Sequence, residues 1–480
     1  MQPFDLSASE RKKLWEELLP LLENYYTLIE SQRVAPELLH DKIIQLAQKY
    51  DFEKAVDTGE AIRHVIRGLK EYGVQVSHPG YYGLYNPRPN FASILADLIT
   101  AAMNPQLAAW SHSPFAVETE RFLIQKFGEK FGLPGNSIDG AFCNGGAEAN
   151  HTAVLCAINR AYPDYARDGL VKNNRRLIIY SSAEAHHSIG KAAMNTGLGK
   201  NAVHTIAVDR DQKMRIGLLE KEIRDDLQKG DIPIMLVATA GTTGSGAIDP
   251  IGDLQKVAEK YSIWFHVDAA YGGAAILDPE LKHFLKGISM ADSVSFDMHK
   301  WMSVPMGTSI FLTSDKNILA KSFGIRTQYM PREADNLDVV DPYLHSMQWS
   351  RRFIGLRIYL SLLFFGWEGY VKTIRHQAAM GDFLRKSLNE QGWKVMNNTP
   401  LPVVCFTDPS FESQDDFANT LCDSMVASGK TWVSVYRVNG CNTLRACITN
   451  YATTSHDIAR LVELANEQRS IFVSSDKKSK

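Results

Sequence analysis

The chain has 480 residues, 45% of them hydrophobic, and a formal net charge of −2, the composition of a globular protein with about two or three domains. The near balance of 52 basic and 54 acidic residues predicts neither a nucleic-acid-binding surface nor a membrane-binding patch. No apolar run approaches the roughly 18 residues that span a bilayer, and the start lacks a secretory signal pattern. The six cysteines have no CxxC spacing, so we expect reduced thiols in a cytoplasmic protein.

Residues 1–76 have a helical pattern. Ser7 and Glu10 have the spacing of a capping box, and leucines follow at helical intervals. Such an amphipathic segment needs an apolar surface to lie on. Packing on its own domain and packing on a second subunit both satisfy the pattern.

Residues 77–370 alternate short, β-branched apolar runs with amphipathic stretches, which predicts an α/β domain with a mostly parallel sheet flanked by helices. Residues 371–472 begin with a long helix and continue with strands and helices, as expected of a smaller α+β domain. The polar tail at 473–480 is predicted to be disordered.

Ligands of such sheets lie at the carboxyl ends of the strands, so the residues that follow each strand are the candidates for function. Lys300 follows "DSVSFDM", and a lysine in a desolvated site can act as a nucleophile, although a lysine reaching solvent beside Trp301 is the ordinary alternative. Asp268 ends "IWFHVD", where a buried carboxylate requires a cation or several donors, unless it only caps a turn. His186 follows "RLIIYSS", where either a functional or an ordinary hydrogen-bonded histidine fits the pattern.

Upstream, "CNGGAEAN" reads as a glycine turn that opens a helix, where backbone N–H groups converge on an anion. By itself, a plain strand-to-helix turn explains these residues better. Together with His186, Asp268 and Lys300, however, the turn matches what pyridoxal 5′-phosphate (PLP) requires: a phosphate cradle, a ring-stacking partner, an anion for the pyridinium nitrogen and an imine-forming lysine. A metal-dependent hydrolase that uses His186, His266, Asp268 and His299 is the alternative from another class.

Over about residues 75–460 the chain resembles the group II PLP-dependent amino acid decarboxylases of fold type I, which include aromatic-L-amino-acid and glutamate decarboxylases. The resemblance rests on motifs in the family's order: "HPGYY", "CNGGAEAN", "AEAHHSI", "TAGTTGSGAIDPI", "HVDAAYGG", "DMHKW" and the "LR" of "NTLRACIT". It implies a fold type I PLP enzyme, a homodimer whose N-terminal helices wrap the partner, and loss of CO2 from an L-amino acid. Transamination and aldehyde formation on the same fold are the enzymatic rivals.

The resemblance also implies roles for individual residues. Lys300 forms the imine with the cofactor, Asp268 holds the protonated ring nitrogen, and His186 stacks on the ring. Arg445 matches the arginine associated with the substrate carboxylate, and Tyr329 matches the loop tyrosine that protonates the product carbanion. The remaining cofactor contacts are Gly146, Ala147 and His299 at the phosphate, and Thr243 and Ala270 along the ring.

Substrate choice is less determined by the sequence. Aromatic residues in and after the segment "YYGLYNPRPN" suggest an aromatic or bulky substrate, although they could equally belong to the hydrophobic core. These residues are Tyr81, Tyr82, Tyr85, Trp110 and Phe115. Arg88 is a candidate ligand for a side-chain carboxylate and would favour glutamate or aspartate. The chain departs from many relatives at His187, Asp297 and Met298, where a small residue, asparagine and proline are common.

Overall fold

The computed structural model describes residues 4–170, 174–325, 327, 330 and 336–479. Before the first strand it contains helices, whose bounds are α1 Ala8–Thr27, α2 His40–Ala47, α3 Thr58–Tyr72, α4 Phe91–Met103 and α5 Pro114–Phe131. The predicted capping box is confirmed, because the Ser7 side chain accepts from the Glu10 backbone N–H and the Glu10 carboxylate accepts from Ser7. Leucines on α1 remain partly exposed, among them Leu19 and Leu22.

The middle of the chain alternates strands and helices, as the sequence predicts. In chain order these are β1 Asp139–Cys143, α6 Gly146–Ala161, α7 Tyr165–Asp168, β2 Leu177–Ser182, α8 Ser188–Asn195, β3 Val203–Ile206, α9 Ile216–Lys229, β4 Ile232–Thr239, α10 Ile251–Tyr261, β5 Trp264–Asp268, β6 Ser293–Asp297, β7 Ser309–Thr313 and α11 Ile318–Phe323. The strands form one seven-stranded sheet in the order β1-β7-β6-β5-β4-β2-β3.

The sheet is mostly parallel, as predicted. Strands β3, β2, β4, β5 and β6 run in the same direction, whereas β7 is antiparallel to both of its neighbours. The central strands β4, β5 and β6 are almost entirely buried, which explains their continuous apolar runs. The carboxyl ends of β4, β5 and β6 therefore meet at one edge of the sheet.

The final part of the chain adds a second, four-stranded sheet in the order β10-β11-β9-β8. Its elements are α12 Leu356–Glu390, β8 Lys394–Val395, β9 Val403–Thr407, α13 Asp415–Ala427, β10 Ser434–Val438, β11 Cys441–Cys447 and α14 Ser455–Ser479. The predicted boundary at 370–371 falls inside α12, which breaks at Gly366, where the φ of +60° favours glycine. Beyond that break, Ile374 packs in the core of the large sheet and Leu384 in that of the small sheet.

The C-terminus differs from the sequence prediction of a disordered tail at 473–480, because α14 continues to Ser479. Phe472 anchors this end of the helix by edge contacts with Phe411 and Phe417. No proline or glycine follows in the helix, and the Ser474 and Ser475 hydroxyls bond to carbonyls of the preceding turn. Within the described part of the chain, no helix combines the length and apolar content needed to cross a membrane.

Candidate active site

Asp268 ends β5 in a buried position, with 4% of its surface exposed. Its Oδ1 accepts hydrogen bonds from the Ala270 backbone N–H at 3.1 Å and the Ser295 hydroxyl at 3.2 Å, and its Oδ2 accepts one from the Asn150 side-chain amide at 2.8 Å. The described residues give this carboxylate no ion-pair partner within 4.0 Å. A buried anion that only neutral donors satisfy is well suited to a cationic ligand.

Asn150 connects Asp268 to both histidines near the site. Its amide also donates to Ser188 Oγ at 2.9 Å, and that hydroxyl lies 2.8 Å from His186 Nδ1. Its carbonyl oxygen accepts from His266 Nε2 at 3.0 Å. Asn150 was missed by the sequence prediction, although it lies four residues after Gly146 in "GGAEAN" and therefore on the same face of α6.

The two histidines differ in exposure, since His266 is fully buried and His186 is partly open to solvent. Burial lowers the pKa of His186, an effect that the nearby Asp268 carboxylate partly opposes. Burial likewise lowers the pKa of His266, so its ring is neutral, with Nε2 donating to Asn150 and Nδ1 accepting from the Ser293 hydroxyl at 2.8 Å. A neutral His266 fixes the orientation of Asn150 and, through it, that of Asp268.

Lys300 follows β6, which is the sheet neighbour of β5, the strand that Asp268 ends. Its Nζ is 3.0 Å from Asp297 Oδ2 and 5.8 Å from the centre of the Tyr85 ring, and 23% of its side chain is exposed. The lysine is thus confined between a carboxylate and an aromatic ring rather than extended into solvent. That environment suits an amine that must be held for reaction.

The start of α6 forms a small cradle next to His299. The described residues provide no acceptor for the backbone N–H groups of Gly146 and Ala147. A side chain at Gly145 would project into this space, since a Cβ there would have only His299 Cε1 near it, at 4.0 Å. Free N–H groups at a helix N-terminus, next to a position without a side chain, fit a phosphate group.

Tyr85 lies close to both Lys300 and Arg445. The Tyr85 hydroxyl donates to the Thr243 carbonyl at 2.9 Å, and the Arg445 guanidinium lies 5.0 Å from the centre of the Tyr85 ring. Arg445 Nε donates to the Gly244 carbonyl at 2.8 Å, whereas its buried Nη2 has no partner among the described residues. A buried guanidinium nitrogen without an acceptor suits an anionic substrate group.

Two predicted substrate contacts lie elsewhere. Arg88 packs against the rings of Tyr26 and Tyr451, with its guanidinium carbon 5.3 Å and 6.0 Å from their centres. Trp110 donates to Glu118 at 2.8 Å and packs against a separate apolar cluster. Among the other aromatic candidates for the substrate pocket, Tyr82 is part of the core around the small sheet and Phe115 is exposed. Tyr329, the predicted proton donor, lies outside the described residues.

The histidines of the metal-hydrolase alternative do not form a ligand set. His266 bonds to Asn150 and Ser293, His299 Nδ1 bonds to the Thr308 carbonyl at 2.9 Å, and His186 bonds to Ser188. Among the residues that the structure describes, the one group of three or more potential ligands within 4.8 Å of one another is a different set: His204, Glu222 and Asp226.

The residues at this sheet edge fit PLP. The α6 cradle and His299 would hold its phosphate, Asp268 its ring nitrogen, and Lys300 its aldehyde, while the bound cofactor would supply an electron sink for the bond that breaks. Fold and site together define a fold type I PLP-dependent enzyme.

Comparison with known proteins identifies the family. The "Pyridoxal-dependent decarboxylase conserved domain" matches residues 44–408, and the chain belongs to this family. The acidic amino acid decarboxylase GADL1 of Mus musculus is 31% identical over 368 residues, which cover 75% of this chain and 66% of that protein. The aromatic-L-amino-acid decarboxylase of Catharanthus roseus is 27% identical over 477 residues, covering 96% of this chain and 93% of that protein.

Solved structures agree with this assignment. The crystal structure of mouse CSAD matches with a TM-score of 0.89 and 25% identity, covering 96% of this chain and 99% of that one. The structure of Oryza sativa TDC with PLP and tryptamine has the same fold, with a TM-score of 0.92, 23% identity and coverage of 98% and 99%. The chain is a PLP-dependent amino acid decarboxylase, as the sequence predicts.

Proposed function

We propose that this decarboxylase converts aromatic or other bulky L-amino acids to their amines. The observation that carries the proposal is the buried Tyr85 ring, whose centre lies 5.8 Å from Lys300 Nζ and 5.0 Å from the Arg445 guanidinium carbon. Arg445 offers one unpartnered nitrogen, enough for the single α-carboxylate of such a substrate. An aromatic substrate side chain would pack against Tyr85, whose ring is held in place from behind by the buried Tyr271, which stacks on Trp301.

We assign the chemical steps to the residues as follows. Lys300 would hold the cofactor by its aldehyde, and Arg445 would bind the substrate carboxylate and set the orientation of the bond that breaks. Asp268, oriented by Asn150, stabilises positive charge on the ring nitrogen. Gly146, Ala147 and His299 hold the phosphate, while His186, Thr243 and Ala270 border the ring. By the family resemblance, Tyr329 donates the proton that the substrate carbon receives after CO2 leaves.

A second candidate is an acidic L-amino acid. Two observations favour it: the 31% identity to an acidic amino acid decarboxylase, and the buried Arg88 Nε, which has no partner among the described residues. Against it, Arg88 contacts two aromatic rings and makes no described contact with Lys300, Asp268 or Arg445. The aromatic assignment therefore requires fewer rearrangements.

The test is a substrate panel with the purified, PLP-loaded protein. Each of L-phenylalanine, L-tyrosine, L-tryptophan, L-glutamate, L-aspartate and cysteine sulfinate is incubated with the enzyme, CO2 is quantified, and the product is identified by mass spectrometry. We expect kcat/KM to be highest for an aromatic substrate, with one amine formed per CO2. Preference for an acidic substrate that Arg88→Gln abolishes would replace the proposal by the second candidate, and keto acid or aldehyde products would indicate a different PLP reaction.

We also propose that the protein is a cytoplasmic homodimer. In support, α4 and the first part of α12 pack together and leave large apolar side chains exposed, namely Phe91, Met103, Leu363, Phe364 and Phe365. The α1 helix adjoins this surface through an edge contact between Tyr26 and Phe91. Light scattering should give a mass twice the 53.7 kDa of one chain. The double variant Leu363→Glu, Phe364→Glu should have the mass of a single chain. All six cysteines are free, in keeping with a reducing compartment.

A further inference from the structure

Asp297 is a buried carboxylate for which the proposed reaction gives no role. It ends β6 with 2% of its surface exposed. Its Oδ1 accepts a hydrogen bond from the Ser309 hydroxyl at 2.5 Å, and its Oδ2 lies 3.0 Å from Lys300 Nζ. The side chain is therefore fixed from two sides, directly next to the reactive lysine.

The same carboxylate lies against the first turn of α6. A Cβ on Gly146 would be 2.9 Å from Asp297 Oδ2 and 3.1 Å from Oδ1, so the carboxylate fills the space where a side chain at Gly146 would be. The N-terminus of a helix attracts negative charge, and this is the turn at which the cofactor phosphate would bind. Two anions would thus share one helix end.

Among the described residues, Lys300 is the main cation that offsets the negative charge of Asp297. His299 Nε2 is 3.7 Å from Asp297 Oδ2, too far for a hydrogen bond. Burial lowers the pKa of His299, which disfavours its cationic form, and its Nδ1 lies 2.9 Å from the Thr308 carbonyl oxygen and 3.3 Å from the Thr308 backbone nitrogen. Among the described residues, Lys300 is then the single cation within ion-pair distance of Asp297.

We propose that Asp297 is a positioning residue that limits how tightly the protein holds its cofactor. In the cofactor-free protein it binds the Lys300 ammonium group and keeps it at the sheet edge. When the cofactor binds, its phosphate enters a site that already contains this carboxylate, and the repulsion between the two anions weakens binding. A neutral, isosteric residue at position 297 would remove the repulsion and retain the cofactor longer.

The experiment compares the wild type with Asp297→Asn, both freed of cofactor. The ligand is 4′-deoxypyridoxine 5′-phosphate, which carries the phosphate but has no aldehyde, so its affinity is independent of imine formation by Lys300. Its Kd is measured by titration calorimetry. We expect Asp297→Asn to bind this ligand about tenfold more tightly or better, because like charges in a buried site repel strongly. Equal or weaker binding would overturn the proposal.

Asp268→Asn is the charge-matched control. It also removes one buried carboxylate from the site, but at the residue expected to hold the ring nitrogen, so it should bind the ligand no more tightly than the wild type. If both variants tighten binding equally, the effect is one of net charge and the assignment to Asp297 is wrong. Thermal melts of both variants establish that they fold.

A second measurement removes the cation, Lys300, instead of the carboxylate. Lys300→Ala leaves Asp297 without its cation, so the phosphate ligand should bind more weakly than to the wild type. Adding Asp297→Asn to Lys300→Ala should then improve binding by a larger factor than it does in the presence of Lys300. A factor that is equal or smaller would contradict the ion pair as the source of the compensation.

Discussion

Replacing Asp268 by asparagine changes its charge and keeps its shape. The carboxylate is buried, and the described residues provide it with neutral donors only. A unit positive charge held about 4 Å away in a site of effective dielectric constant near 20 gains about 4 kcal/mol from such an anion. If most of this gain is made in the transition state, its loss corresponds to about a thousandfold decrease in kcat.

The hydrogen bonds predict a smaller effect on stability. An asparagine carbonyl at position 268 can still accept from Ala270 N–H and the Ser295 hydroxyl, but its amide would face the Asn150 amide, donor against donor. We expect a loss of about 1–3 kcal/mol in the free energy of unfolding for this mismatch. Denaturant unfolding measures that loss, and CO2 release from the PLP-loaded variant measures kcat.

Asn150→Asp in the Asp268→Asn background is the matched control. It restores an acceptor opposite the amide at 268 and moves the negative charge by one side chain. The double variant should regain most of the lost stability without regaining activity, because the charge no longer lies where Asp268 holds it. Retention of more than about a tenth of wild-type kcat by Asp268→Asn would refute the electrostatic role.

The other predictions concern the cradle, Asn150, the loop tyrosine and stability. Gly145→Ala should leave the fold intact, since only His299 Cε1 lies within 4 Å of the new Cβ. It should nevertheless weaken PLP binding about tenfold or more, which titration of the cofactor-free protein measures. Unchanged affinity would place the phosphate elsewhere. Asn150→Ala should lower kcat about tenfold to a hundredfold and change the absorbance spectrum of the bound cofactor, and an unaltered spectrum would argue against its positioning role. Tyr329→Phe should shift the product from amine towards aldehyde, and an unchanged amine yield would show that another group donates the proton. Burial raises the pKa of Asp249 from 3.8 to about 6, so its contribution to stability is fully present below about pH 4 and is lost as the pH rises through 6. Over that range the free energy of unfolding of the wild type should fall by roughly 3 kcal/mol relative to that of Asp249→Asn. Denaturant unfolding at several pH values measures this difference, and parallel curves for the two proteins would contradict it.

The residues that connect the site are the ones that sequence reasoning missed. Asn150 is the last residue of the motif "CNGGAEAN", but amide side chains are common in helices. Nothing in the local sequence shows that this one joins His266, Ser188 and Asp268. The sequence suggests His266 only as a metal ligand, whereas its contacts make it a neutral hydrogen-bonding residue. In the sequence Asp297 stands out only as a departure from relatives, because its contact with Gly146 joins positions that are distant in sequence.

The sequence by itself determined the alternation of buried strands and helices, and with it the parallel sheet and the placement of Asp268 and Lys300 at strand ends. These features follow from local periodicity and from the rule that parallel strands end at one edge. Only the tertiary structure decided which side chains meet there: that Tyr85 lies near both Lys300 and Arg445, that Arg88 packs against two aromatic rings, and that Asp297 contacts both the lysine and the helix start. Such contacts depend on how distant segments pack against each other, and local sequence patterns carry no record of that packing.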